Sequence, residues 1–169
     1  MGAFLVLACF LSSPLAAQAP GSHTSLTIAR DLATEARQAA AQGKAYVVLF
    51  SETGCPWCER VRREFLLPMQ EDPQYNAKAV FRQINIDSDE ALRDFSGRAS
   101  THRHFAQSEG MRFYPTVALY TPEGKQAAEK LTGFTNAVYY GSSIERRINA
   151  ALARITVTQP LNQQIPARK

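Results

Sequence analysis

The residues best placed to do chemistry in this sequence are two thiols, Cys55 and Cys58, in the run Cys55-Pro56-Trp57-Cys58. A third, Cys9, stands alone upstream. Cysteines separated by two residues can close a small disulfide, and a helix that starts at the first makes the pair unequal. Pro56 is pre-shaped for the first helical position. Cys55 is therefore expected on the N-cap side, where free N–H groups and the helix dipole favour a thiolate. Cys58 is expected one turn inside, more buried, and placed to attack a mixed disulfide formed on Cys55. Other chemistries need residues this chain supplies poorly. A zinc site needs further ligands, and the histidines are His23, His102 and His104. His102 and His104, two apart, point to different sides of a helix. Haem attachment requires His after the second Cys, where Glu59 stands. A purely structural disulfide would close too short a loop to stabilise much. No metal and no other cofactor are expected.

A reactive pair of this kind needs elements to hold it. Ala45 to Phe50 is a continuous apolar run, the pattern of a strand covered on both faces, and residues 51–54 turn the chain into Cys55. The helix that follows has Val61 and Phe65 on its inward side, and Pro68 should end or bend it. Upstream, Leu26, Ile28, Leu32, Ala36 and Ala39 suggest one helical face stopped by Gly43. Downstream, residues 69–78 read as an irregular or short helical excursion, and Val80 to Ile86 as a second strand. The polar stretch 87–100 looks like an insertion. Thr101 to Glu109 reads as a helix stopped by Gly110, Pro115 to Tyr120 as a strand, residues 121–124 as a hairpin turn, and Ala127 to Leu131 as its partner. Ser142 and Glu145 form a capping box for a last helix with Ile144, Ile148, Leu152 and Ile155 inward. A parallel crossover followed by a hairpin implies an α/β fold around a small mixed sheet.

The chain has 169 residues, 45% of them hydrophobic and 20% charged, which fits one packed domain and excludes a mainly disordered or low-complexity chain. The net charge of +4 is spread along the sequence, with Arg60, Arg62 and Arg63 the densest group, so nucleic acid is not an expected partner. Residues 1–19 carry no charged side chain, and the apolar run Ala3 to Leu11 is followed by Ala17-Gln18-Ala19. This is the pattern of a secretory signal peptide. Val6-Leu7-Ala8-Cys9 loosely matches a lipoprotein box, leaving a lipid anchor at Cys9 as a minor option. Residues 20–25 read as a linker, 26–155 as the domain and 156–169 as a loose tail.

The stretch Phe50 to Phe65, with its Cys-Pro-Trp-Cys, resembles the active-site segment of the thioredoxin superfamily. A second match is Gly110-Met111-Arg112-Phe113-Tyr114-Pro115-Thr116-Val117, similar to the segment ending in that family's cis-proline loop. Gly133 fits a third position. The resemblance implies a thioredoxin-like fold, a mixed β-sheet with helices on both faces, here with small insertions near 68–78 and 87–100. It implies that Pro115 is the cis-proline facing the cysteines and that Tyr114 carries backbone able to pair with an extended substrate. Family members usually have a buried Asp six residues before the first Cys, where this chain has Leu49. They have Trp immediately before that Cys, here Gly54, and Lys after the second Cys, here Glu59. The chain also lacks the Gly-Gly-Asp pattern of glutathione-binding relatives, and is most similar overall to exported bacterial thioredoxin-like reductases.

The expected activity is thiol–disulfide exchange by Cys55 and Cys58, most simply reduction of disulfides in extracytoplasmic proteins. Trp57 is expected to contact substrate. Expected partners are disulfide-containing proteins and a membrane or periplasmic thiol donor that re-reduces the pair. The expected location is the periplasm and the expected state a monomer. Two alternatives stand beside this: an oxidase or isomerase using the same exchange, and a copper-binding chaperone holding metal through both thiols and a histidine such as His102.

Overall fold

The computed structural model describes residues 25–158. The segment read as a signal peptide, with Cys9, and also His23 and residues 159–169 lie outside them. Strand β2 (Ala45–Ser51) is buried along its whole length, and its side chains alternate between two cores. Val47 and Leu49 face one side with Val61, Leu66, Phe81 and Ile148, while Val48 and Phe50 face the other with Leu32, Ala36 and Phe105. β2 runs parallel to β3 (Ala79–Asn85), which runs parallel to β1 (Thr27–Ile28). On its other side β2 pairs antiparallel with β6 (Thr116–Tyr120), and β6 with β7 (Leu131–Thr132). The order β1-β3-β2-β6-β7 is the mixed sheet expected from the sequence.

Helix α1 (Leu32–Ala41) and α5 (His102–Ser108) cover one face. The active-site helix and α6 (Ala137–Thr158) cover the other. The active-site helix is composite: α2 (Pro56–Val61), a π-helical turn (Arg62–Leu66) and α3 (Leu67–Glu71), followed by a short α4 (Pro73–Asn76). Pro68 has no N–H and its ring would press on the Glu64 carbonyl of a regular helix. The chain widens by one residue instead, and the Leu67 N–H bonds the Arg62 carbonyl. The helix thus runs through Pro68 without ending there.

The polar stretch 87–100 contains a hairpin of its own, β4 (Ala91–Arg93) and β5 (Ala99–Thr101). It brings Phe95 against Tyr46, Phe105 and Tyr120, with ring centroids 6.4, 5.9 and 4.9 Å away. The insertion therefore closes one of the two cores.

Four local expectations are corrected. Thr27 and Ile28 belong to β1, and the helix begins only after Asp31, whose carboxylate caps Thr34. The partner of β6 is not Ala127 to Leu131: Ala127 donates to the Leu119 carbonyl, but strand pairing resumes only at Leu131–Thr132. Ser142 is not an N-cap. α6 starts at Ala137, the Asn136 side chain accepts the Val138 N–H, and the Ser142 hydroxyl donates to the Tyr139 carbonyl inside the helix. The helix also continues through Thr158, into the segment read as tail.

Candidate active site

Cys55 and Cys58 are joined as a disulfide, with Cα atoms 5.3 Å apart. The loop before them turns through Gly54 at φ +72°, a left-handed conformation that a side chain such as tryptophan disfavours. Cys55 is the N-cap of α2, and the Cys58 N–H donates to its sulfur at 3.1 Å. Pro56 occupies the first turn, where its missing N–H costs nothing. Cys58 is fully buried and Cys55 partly exposed. The two thiols thus have the inequality that their spacing predicts: one meets the solvent and an N–H donor, the other waits behind it.

The register of the sheet brings the second motif to the first. Phe50 pairs with Thr116 at the end of β2, so the cis Tyr114–Pro115 peptide lies at the strand end from which the Cys55 loop departs. The Gly133 N–H holds the Pro115 carbonyl at 2.7 Å. The neighbouring Glu52 carboxylate holds the Tyr114 phenol above its ordinary pKa. Trp57 stacks on Phe134 with centroids 5.6 Å apart and planes at 21°. Phe134 also meets the Arg60 guanidinium at 4.8 Å, and packs on Phe65 and Tyr140. All five proposed site residues, Cys55, Trp57, Cys58, Tyr114 and Pro115, are therefore gathered at one end of the sheet.

Phe134 escaped the sequence reading because a lone aromatic after a hairpin has no periodicity. Its one signal is its place immediately after Gly133. Removing it should uncover Trp57. Phe134→Ala is expected to shift the emission of this single tryptophan to longer wavelength and to cost about 2 kcal/mol, from a half-buried aromatic lost with its stacking and cation partners. Fluorescence and urea unfolding read both effects.

Beside Cys55 lies a pocket of about 530 Å³ lined by Ser51, Glu52, Cys55, Glu59, Arg62 and Gln83. Leu49, where family members carry Asp, is core, and its pairing neighbour across the sheet is Gln83. No titratable side chain stands at either position. Glu59 is held by Arg62 at 2.7 Å.

The active-site loop is tethered through Asp87, whose Oδ2 accepts the Thr53 N–H at 3.2 Å. Burial alone would raise the Asp87 pKa. Hydrogen bonds from Thr53 and from its own backbone, with the Arg103 charge, outweigh it and hold the group below 3.8. A carboxylate depressed on folding stabilises the fold above its unfolded pKa, and that contribution is lost as pH falls through the folded value. Amide exchange at Thr53 and Gly54, corrected for intrinsic rate, should be steady above about pH 4 and accelerate below it; Asp87→Asn should remove that step.

His102 is part of the core. Its Nδ1 accepts the Asn85 N–H at 3.0 Å and its Nε2 donates to the Ala29 carbonyl at 3.0 Å. Both ring nitrogens are engaged, so His102 is not the free ligand that the copper alternative requires. His104 is exposed, beside Ser100. Among the described residues no cluster of three or more His, Cys, Asp and Glu side chains forms a candidate metal centre.

A dithiol at a helix start, facing a cis-proline at the end of a central strand, defines a thiol–disulfide oxidoreductase site on a thioredoxin-like fold. Residues 32–145 match the thioredoxin-like domain family, and the chain belongs to it. Among solved structures it is similar to the oxidised form of mitochondrial thioredoxin 3 from Saccharomyces cerevisiae, at 21% identity and TM-score 0.50. That match covers 76% of this chain and 98% of the thioredoxin. Thioredoxin O2 from Arabidopsis thaliana, in its oxidised state, aligns at 13% identity and TM-score 0.47, over 73% of this chain and 94% of its own. No curated protein matches this sequence.

Proposed function

We propose that this protein is a dithiol reductase of disulfides in extracytoplasmic proteins, acting as a periplasmic monomer. The observation that carries the exchange chemistry is the Cys58 N–H held on the Cys55 sulfur. In the reduced protein the same donor favours a thiolate on Cys55. That thiolate attacks a substrate disulfide, forming a mixed disulfide and releasing one substrate thiolate. Cys58 then attacks Cys55, releasing the second, and the two electrons of the dithiol pass to the substrate. A membrane or periplasmic thiol donor reverses the oxidation. Support for export is the uncharged, apolar segment 1–19 with its Ala17-Gln18-Ala19. The reducing direction rests on the resemblance of the sequence to exported thioredoxin-like reductases.

Two measurements test this. Cys58→Ala should accumulate covalent complexes with extracytoplasmic proteins, and their absence from every such extract counts against the reading. Titration of the pair against glutathione should give a potential nearer about −270 than −120 mV; a value at the upper end would make the protein an oxidant.

A further inference from the structure

The pocket beside Cys55 has the size of a small-molecule site, at about 530 Å³. Its walls are the loop before Cys55, the active-site helix and, through Gln83, strand β3. Trp57, Tyr114 and Pro115, the residues expected to meet a polypeptide, are not among those that line it. Cys55 is, so an occupant of the pocket lies against the reactive residue.

Three polar side chains in its walls have unused capacity. Arg62 meets Glu59 through Nη2 at 2.7 Å, but its Nε is buried with no hydrogen-bond partner among the described residues. A buried N–H without an acceptor is costly, and a guanidinium is best satisfied by a carboxylate. Glu59 is already shared between Arg62 and Arg63. The Arg62 side chain keeps 22% exposure, so a carboxylate in the pocket can reach the guanidinium and draw Nε into a bond. Glu52, beside the Tyr114 phenol, has no cation partner among the described residues. The Gln83 amide, 7% exposed, gives its N–H to Asn85 at 2.6 Å and keeps its carbonyl oxygen as an acceptor. A plain anion in this pocket would face two carboxylates, and a plain cation would leave the guanidinium unsatisfied. The complementary ligand carries one charge of each sign.

We infer that the pocket binds a low-molecular-weight thiol with an α-amino acid head, its carboxylate on Arg62 and its ammonium on Glu52 and Gln83, and that this thiol re-reduces the pair. The inference rests on the dithiol reading and names the chemical class of the electron donor. Cys55 and Cys58 are oxidised here, which is the state a reductant meets. The small thiolate bonds to the Cys55 sulfur, the Cys55–Cys58 bond breaks, and Cys58 leaves as a thiolate that takes up a proton. A second thiol molecule then attacks the first at its sulfur and releases Cys55. Two small thiols become one small disulfide, and their two electrons reduce the pair. Because the pocket borders Cys55 directly, the head must lie close to the sulfur. Cysteine meets this condition; glutathione, whose amino acid head is further from its sulfur, does not.

Reduction of the oxidised full-length protein, quenched by alkylation and read by mass, tests this once each rate is divided by thiolate concentration. L-Cysteine should exceed cysteamine, which lacks the carboxylate, by about tenfold. It should exceed mercaptopropionate, which lacks the ammonium, and glutathione by about fivefold each. Arg62→Gln should shrink the advantage over cysteamine to less than about twofold, and Arg62→Lys should keep most of it. Glu52→Gln should shrink the advantage over mercaptopropionate in the same way. Equal rates for the small thiols, a glutathione rate matching that of cysteine, or variants that keep both advantages overturn the inference and leave the exchange reading standing. If no thiol reduces the pair, dithiothreitol included, the exchange reading itself fails. Binding then tests the pocket alone with S-methyl-L-cysteine, which cannot react. It should shift the NMR signals of Gly54 and the Gln83 side-chain amide, and its methyl ester should not; no shift with the free acid overturns the site.

Discussion

Protein carrying Cys55→Ser should lose disulfide reduction by roughly 10³-fold or more, because among the described residues the remaining thiol, Cys58, is fully buried. Cys58→Ala should keep the first attack and lose turnover. The buried position of Cys58 and the partial exposure of Cys55 give the same distinction a second readout. Reduced wild-type protein treated briefly with iodoacetamide at neutral pH should be alkylated at Cys55 and spared at Cys58. Mass spectrometry of the peptides decides it. Equal labelling would mean that the two thiols are not ordered as nucleophile and resolver. The Cys55→Ser variant should unfold at nearly the urea concentration of the reduced wild type, since its change is confined to a partly exposed sulfur. Its loss of activity is then chemical.

His102→Ala should be the costliest of the single changes for stability. It removes two hydrogen bonds, leaves the Asn85 N–H and the Ala29 carbonyl without their partner, and opens a cavity where a fully buried ring stood. An orphaned buried donor or acceptor costs about 1–3 kcal/mol, and the missing ring adds to that. The total should approach 3 kcal/mol, a fall of about 1.5 M in the urea midpoint at an ordinary denaturant slope. His104→Ala, two residues on and exposed, should change the midpoint little. Copper binding offers a sharp contrast. If His102 were a ligand, its removal would lower copper stoichiometry in equilibrium dialysis while the fold held.

The site was legible in the sequence to the extent that its chemistry is local. Cys55, Pro56, Trp57 and Cys58 are contiguous, and the thiol inequality follows from a helix starting among them. Pro115 was legible through resemblance, because a proline does not by itself reveal which distant cysteine it faces; the Phe50–Thr116 register supplies that. Phe134 was not legible, since its role arises only when the end of a hairpin meets a helix from another part of the chain. The fold errors share a cause. Ile28 and Leu32, four apart, mimic one helical face, although the first lies in a strand and the second in a helix. Ser142 and Glu145 have the spacing of a helix start, yet the start lies earlier, where Asn136 supplies the cap. Short patterns of this kind are satisfied by more than one backbone, and packing chooses between them.

The π-helical turn at Arg62–Leu66 also sets the angular phase of the active-site helix. A turn closed from residue i to i+5 holds one residue more than a regular turn over nearly the same rise. Residues before it and after it therefore belong to two helical lattices about 100° out of step. Cys58 and Val61 are aimed by the first lattice, and Leu66, Leu67 and Met69 by the second, although Val61, Leu66, Leu67 and Met69 all reach the same core. The dithiol and its anchor on the sheet are thus aimed independently, and a change of length at this turn would rotate one relative to the other.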